Sequence, residues 1–221
     1  MTSTELAHRQ PAESADDVLR EAHDANYRFP PGFRGFDATL HTVDETGVRT
    51  GPTPLHVAGP RQVEVDRDAS PAWARSELAS IVAHRWAMPY EDADGTWAKH
   101  VGTDDGHPHG VLVIIEDDPF DSAYRVVAGR TAEVHRTMKG QRFVITLGER
   151  LVTPDGRVLP AGFTVHNWDL EAARLVRADF FSDTYVEVDG VFLPAAREVT
   201  TGDDAGLTTR RLTISAHRVI A

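Results

Sequence analysis

The chain has no cysteine. Disulfides, thiolate metal ligands and a cysteine nucleophile are therefore excluded. Lysine is nearly absent: Lys99 and Lys139 stand alone among basic residues that are otherwise arginine. That bias matches codon usage in a GC-rich genome and no function is read into it. Long apolar runs are missing too. The longest, Val111–Ile115, suits a buried strand and is far too short to cross a bilayer. Residues 1–10 show no basic segment followed by an apolar stretch, so no secretory signal is expected and the expected location is the cytoplasm. The phosphate-binding GxxxxGK[ST], the dinucleotide GxGxxG and the GxSxG elbow do not occur, which leaves a nucleotide-dependent or serine-hydrolase mechanism without support. Positive charge is in deficit: 23 basic against 34 acidic residues give a net charge of −11. A surface of that sign repels phosphate backbones and anionic lipid, so neither nucleic acid nor membrane is an expected partner.

What is present describes a folded protein. Of 221 residues, 41% are hydrophobic and 26% charged, a composition that can bury a substantial core. Residues 1–13 are polar, contain Pro11 and carry no period, and read as a flexible tail. Residues 14–221 read as one domain. Ser14 is a helix N-cap, with Asp16 and Asp17 in the first turn and Val18, Ala22 and Ala25 on one face. A second helix is expected from Ser70-Pro71, serine as cap, to about Arg85, with Trp73, Leu78, Ile81 and Val82 inward.

Elsewhere the period is two. Phe36, Ala38 and Leu40 alternate with Asp37, Thr39 and His41. Shorter strands are expected at 55–57 and 62–66, interrupted by Pro52, Pro54 and Gly59-Pro60. From residue 97 the chain reads as strand and turn: 97–101, 111–116, 124–128, 132–138, 143–151, 163–168, 180–188, 191–200 and 207–217. Asp189-Gly190 is a two-residue hairpin signal, because both positions tolerate positive φ. Short loops between strands predict an antiparallel meander, and twist over so many strands predicts a half-barrel or open barrel. The fold class is thus mainly β, with two N-terminal helices as lid or plug over an apolar cavity.

Three segments resemble domain-of-unknown-function family 3386 of bacteria and plastids. They are Asn26-Tyr-Arg-Phe-Pro-Pro-Gly-Phe-Arg-Gly-Phe-Asp-Ala38, Ile81-Val-Ala-His-Arg85 with Glu91 downstream, and Phe180-Phe-Ser-Asp-Thr-Tyr185 followed by Gly190 and Phe192-Leu-Pro194. The resemblance covers residues 15–220. It implies an architecture similar to the lipoprotein-carrier group, whose curved sheet wraps an apolar ligand and which includes a cofactor-free pigment-biosynthesis enzyme. Gly106-His-Pro-His-Gly110 departs from the family's pattern, so no role carries over to it.

The candidate chemistry follows from residue types. His84-Arg85 closes the second helix, where the dipole favours positive charge, and equally suits a general base beneath the lid; Glu91 or Arg85 would orient His84 or neutralise a substrate anion. Arg136 is expected inward and His135 outward; a buried arginine takes either a structural ion pair or a ligand carboxylate or phosphate. Trp97, Arg136, His166 and Trp168 are expected to line the pocket, and Trp86, Phe163 and Phe180 to line it or fill the core. The 11 histidines prompt a metal reading, with His107 and His109 chelating copper, iron or zinc beside Asp104 and Asp105, and a third ligand from His84, His100 or His135. The alternative for His107-Pro-His109 is a polar turn. The leading expectation is binding, or isomerase- or cyclase-like transformation, of a small apolar molecule without a cofactor; the rival is a histidine-ligated metal enzyme, an oxidoreductase among the options.

Overall fold

A computed structural model describes residues 14–220, so the tail expected over residues 1–13 lies outside the described residues. Helix α1 (Ala15–Asp24) comes first, capped as expected: the Ser14 hydroxyl oxygen accepts from the Asp17 amide at 3.1 Å. Strands β1 (Phe36–Val43), β2 (Arg49–Gly59) and β3 (Gln62–Val65) then step outward to one edge of a sheet. After β3 the chain forms α2 (Ala72–Arg85), passes two short 3-10 turns at Tyr90–Asp92 and Asp94–Thr96, and restarts at the opposite edge. From there β4 (Lys99–Val101), β5 (Val111–Ile115), β6 (Ala123–Val127), β7 (Arg130–Met138) and β8 (Gln141–Leu147) return toward the middle. Strands β9 (Arg150–Val152) and β10 (Val158–Pro160) leave as a separate hairpin. The return finishes with β11 (Gly162–Asp169), β12 (Arg174–Val188), β13 (Val191–Asp203) and β14 (Gly206–Val219), which meets β1. The result is one twelve-stranded antiparallel sheet, curled but not closed. Its two edges are β3 and β4, four and three residues long, and short edges limit pairing with other chains.

The local rules explain most of this. Phe36, Ala38 and Leu40 are buried along β1 while His41 is exposed. Asp189 and Gly190 hold φ of 50° and 77° and pair Val188 with Val191, a type I′ hairpin. Three expectations need correction. Strand β2 runs through Pro52 and Pro54 because β3 pairs only with residues 55–59, leaving the proline-bearing half as an edge that tolerates a missing N–H. The strand expected over 143–151 breaks after Leu147, where the β9–β10 hairpin departs. Helix α2 is capped by Pro71 without a side-chain bond; the Ser70 hydroxyl donates instead to the Asp66 carbonyl at 2.6 Å.

Both helices lie on the same, inner face of the sheet, over opposite ends. Helix α1 buries Ala15, Val18, Leu19 and Ala22 against Val113, Ile115, Tyr124 and Val126 of β5 and β6. Helix α2 buries Leu78 and Val82 against Phe36, Leu40, Leu55, Val57 and Leu212. Each core withdraws several large apolar side chains from water, worth roughly 1.5–3 kcal/mol apiece. The middle of the sheet, between the helices, is left for something else.

Candidate functional site

Two crossing segments span the inner face between the helices. Residues 25–35 run from α1 back to β1, and residues 86–98 run from α2 to β4. They are tied together and to the sheet: the Phe29 amide donates to the Arg85 carbonyl at 2.7 Å, the Tyr27 amide to Val158 of β10 at 2.8 Å, and the Phe192 amide to the Tyr27 hydroxyl at 3.0 Å. Phe29, Phe33 and Trp86 pack as an aromatic group with ring centroids 4.4–5.7 Å apart.

Beyond these segments an apolar strip of the inner face remains uncovered. The register carries it across the sheet: Val134 opposes Ile145, Ile145 opposes Val165, Phe143 opposes Asn167, and Phe163 opposes Phe181. Phe143, Ile145, Phe163, Val165 and Phe181 are only half-buried and belong to neither core. Phe163 and Phe181 stack at 4.5 Å with planes 6° apart. Under them the Arg197 guanidinium, 5.0 Å from the Phe181 ring, is held by Asp183 through two bonds of 2.7 and 2.6 Å and by Glu77 of α2 at 2.9 Å.

The last turn of α2 carries His84, which feels the charge of Arg136 at one end of this strip and of Arg197 at the other. His84 is solvent-accessible, yet burial among the surrounding protein is the main influence holding its pKa below the ordinary value; the charges of Arg85, Arg197 and Arg136 act the same way, and its bond to Ser80 acts against them. His84 Nδ1 lies 2.7 Å from the Ser80 carbonyl, which can only accept, so Nδ1 carries the proton and Nε2 of the neutral ring keeps a free lone pair. Arg85 is buried, donating to the Tyr185 hydroxyl at 3.1 Å, and both Arg85 and Arg28 donate to the carbonyl of His84, at 3.4 and 3.2 Å. Arg136 donates to the Tyr124 hydroxyl at 3.1 Å, and that hydroxyl donates to Asp94 at 3.0 Å.

A family model described as protein of unknown function, DUF3386, matches residues 10–220. The chain belongs to this family. The three DUF3386-like segments meet at the site just described, through Arg28 and Phe29 of the first, His84 and Arg85 of the second, and Tyr185 and Phe192 of the third. No curated protein matches the sequence. A crystal structure described as an outer membrane lipoprotein-sorting protein domain from Vibrio parahaemolyticus is similar over 92% of this chain and 91% of that one, at 12% identity and a TM-score of 0.39. That likeness is too loose to bear on function.

Of the residues expected to form a site in this DUF3386 chain, the structure brings His84, Arg85 and Arg136 together. Arg136 points inward as expected and has no ion pair among the described residues. The others stand elsewhere. Glu91 is carried by the 3-10 turn to Arg20 of α1, at 2.5 Å. Trp97 is exposed just before β4. His166 and Trp168 do share a face, but it is the outer one: Val165 and Asn167, of the opposite parity, are the inward residues. Phe180 is outward as well, opposite Thr164 and Thr200. His135 faces outward but is half-buried rather than solvated. It and His109 bind the two oxygens of Glu133 at 2.8 and 2.7 Å, next to the Arg125–Asp105 pair.

The metal reading is corrected by this arrangement. His107 Nδ1 accepts from the His109 amide, His109 is engaged by Glu133, and among the described residues no three histidine, aspartate or glutamate side chains converge as a metal site. His100 pairs with Glu116 instead. A depression of ≈ 1050 Å³ also lies at the β3 edge, where Asp37 bonds both His56 at 2.7 Å and Arg218 at 2.5 Å. Sequence reasoning missed Arg28, whose signal was an arginine between two aromatics that both turn out buried, and the Asp183–Arg197 pair.

Proposed function

We propose that this protein binds a small, largely apolar molecule against the inner face of its sheet, between α1 and α2. One observation carries the reading: Phe143, Ile145, Phe163, Val165 and Phe181 form an apolar strip, bordered by Asn167 and Asp179, on a face whose two ends are covered by helical cores. Apolar surface of this kind gains roughly 25 cal/mol for each Å² that a ligand withdraws from water. Among the described residues no helix is long and apolar enough to cross a membrane.

A fluorescent apolar dye tests the assignment. Val165→Glu places a charge in the middle of the strip, opposite Asp179 on the next strand, and dye affinity is expected to fall at least tenfold when measured where the urea melt shows the variant folded. Unchanged dye affinity in that variant would move the site elsewhere.

His84 supports a second reading of the same site. A neutral imidazole with Nε2 free, accessible beside the strip, suits proton transfer to or from a bound molecule, so a cofactor-free isomerisation or cyclisation fits as well as binding alone. Once the ligand is in hand, turnover lost in His84→Gln with binding retained distinguishes catalysis from carriage.

A further inference from the structure

We infer that the bound molecule carries an anionic head, a carboxylate or phosphate, seated against Arg85, Arg28 and Arg136 beside His84. This rests on the proposed apolar site and names the other end of its ligand.

Arg28, Arg85 and Arg136 each keep a buried Nε with no hydrogen-bond partner, and none of the three forms an ion pair among the described residues. A buried donor left unsatisfied is costly, and three in one neighbourhood call for a missing acceptor. Arg197 shows how this fold treats a guanidinium whose role is structural: two carboxylates hold it, with three bonds of 2.6–2.9 Å. The other three receive only neutral oxygens and a histidine nitrogen.

Charge points the same way. Arg28 and Arg85 crowd one carbonyl, and the pKa of Arg28 is lowered first by burial and then by the charge of Arg85. The nearby carboxylate is Asp94, already bonded to Tyr124; Asp24 and Asp118 act on Arg28 and Arg136 from outside ion-pair distance. Three guanidiniums with no carboxylate at ion-pair distance among the described residues leave unmatched donors for an anion inside a chain of net charge −11. Guanidinium forks suit planar or tetrahedral oxyanions, with charge-assisted bonds stronger than neutral ones.

The two halves of the site are contiguous. Arg136 opposes Phe143 directly across β7 and β8, two residues along from Val134, so a head at Arg136 leads a tail onto the strip. Tyr185, which holds Arg85, lies on the same strand as Phe181.

Titration calorimetry of the full chain with dodecanoate, dodecyl phosphate and dodecanol, all below their aggregation thresholds, tests this. The expected result is that one or both anions bind on the order of tenfold to a hundredfold more tightly than the alcohol. Which anion is favoured identifies the head. Arg136→Gln and Arg85→Gln are each expected to erase that preference while leaving dodecanol affinity in place. Arg136→Lys should restore part of it through charge without the fork. Equal affinity for anions and alcohol would overturn the anionic head and leave the apolar site standing. A preference that survives both glutamine variants would overturn the seat. If no probe binds, both the head and the apolar reading fail. The comparison of probes uses the unsubstituted chain, so it stands even if the buried Arg85 tolerates no replacement.

Discussion

Replacing Asp183 with asparagine isolates the ion pair that floors the proposed site. Asp183 and Arg197 have side chains 2% and 5% exposed, and their paired bonds of 2.6 and 2.7 Å join β12 to β13 while Glu77 adds α2 at 2.9 Å. Removing one partner of a buried pair typically costs about 3–5 kcal/mol, because the other charge is left without compensation. Here Glu77 remains, so the loss expected for Asp183→Asn is near the lower figure, about 3 kcal/mol. For a chain of this length that corresponds to a fall of about 6–12 °C in Tm. Urea unfolding reads it as a lower midpoint at constant slope. The double variant Asp183→Val with Arg197→Met, which removes both buried charges at nearly constant volume and leaves the more exposed Glu77 to solvent, should recover most of the loss. A single-variant loss under about 1 kcal/mol, or a double variant as damaged as the single, would refute the reasoning from buried charge. The same variant should weaken dye binding, since Arg197 lies 5.0 and 5.5 Å from the Phe181 and Phe163 rings.

Further expectations follow from local geometry. Gly35 has φ of 125°, and a Cβ there would sit 1.8 Å from the Val57 carbonyl oxygen, so Gly35→Ala should destabilise by several kcal/mol, on the scale of about 4, in urea melts. Ser14→Ala removes the cap of α1 and should cost about 1 kcal/mol, read the same way; no change would deny the cap a role. Burial, first among the causes, lowers the pKa of His84, His23 and His217 below the ordinary 6.5. In that range the unfolded chain binds more protons than the folded one, so their contribution is present above pH 6.5 and lost as pH falls through and below it. Urea midpoints measured across that interval should decline toward acid, and His84→Gln should flatten the decline; an identical profile in the variant would contradict the shift. The bond to Arg125 leads the causes that hold Asp105 at about 2, so carboxylate losses of that kind fall at far lower pH.

The meander was legible because alternation and turn chemistry agree: Phe36 to Leu40 and Asp189-Gly190 need no tertiary information. His84, Arg85 and Arg136 were legible as a basic pair ending a helix and as an arginine in step with apolar neighbours. Parity alone was insufficient for His166 and Trp168. A period of two says that they share a face, whereas only the pairing of Ile145 with Val165 says which face is inward. Glu91 misled through sequence proximity to His84, since a 3-10 turn turns it toward α1. Asp183–Arg197 was out of reach for a physical reason: continuing the register from Val188–Val191 would put Asp183 opposite Ala196, and the bulge at Thr184–Tyr185 shifts it onto Arg197. His107-Pro-His109 was over-read for the opposite reason, because the partner that claims His109 is Glu133, 24 residues along the chain.

Native mass spectrometry of the freshly purified chain, with elemental analysis of the same sample, tests the central claim most directly. The account predicts an organic mass bound at one per chain, without a stoichiometric transition metal, and lost in Val165→Glu. A stoichiometric metal with no organic mass, or a bare chain that also fails to take up the dodecyl probes, would contradict it.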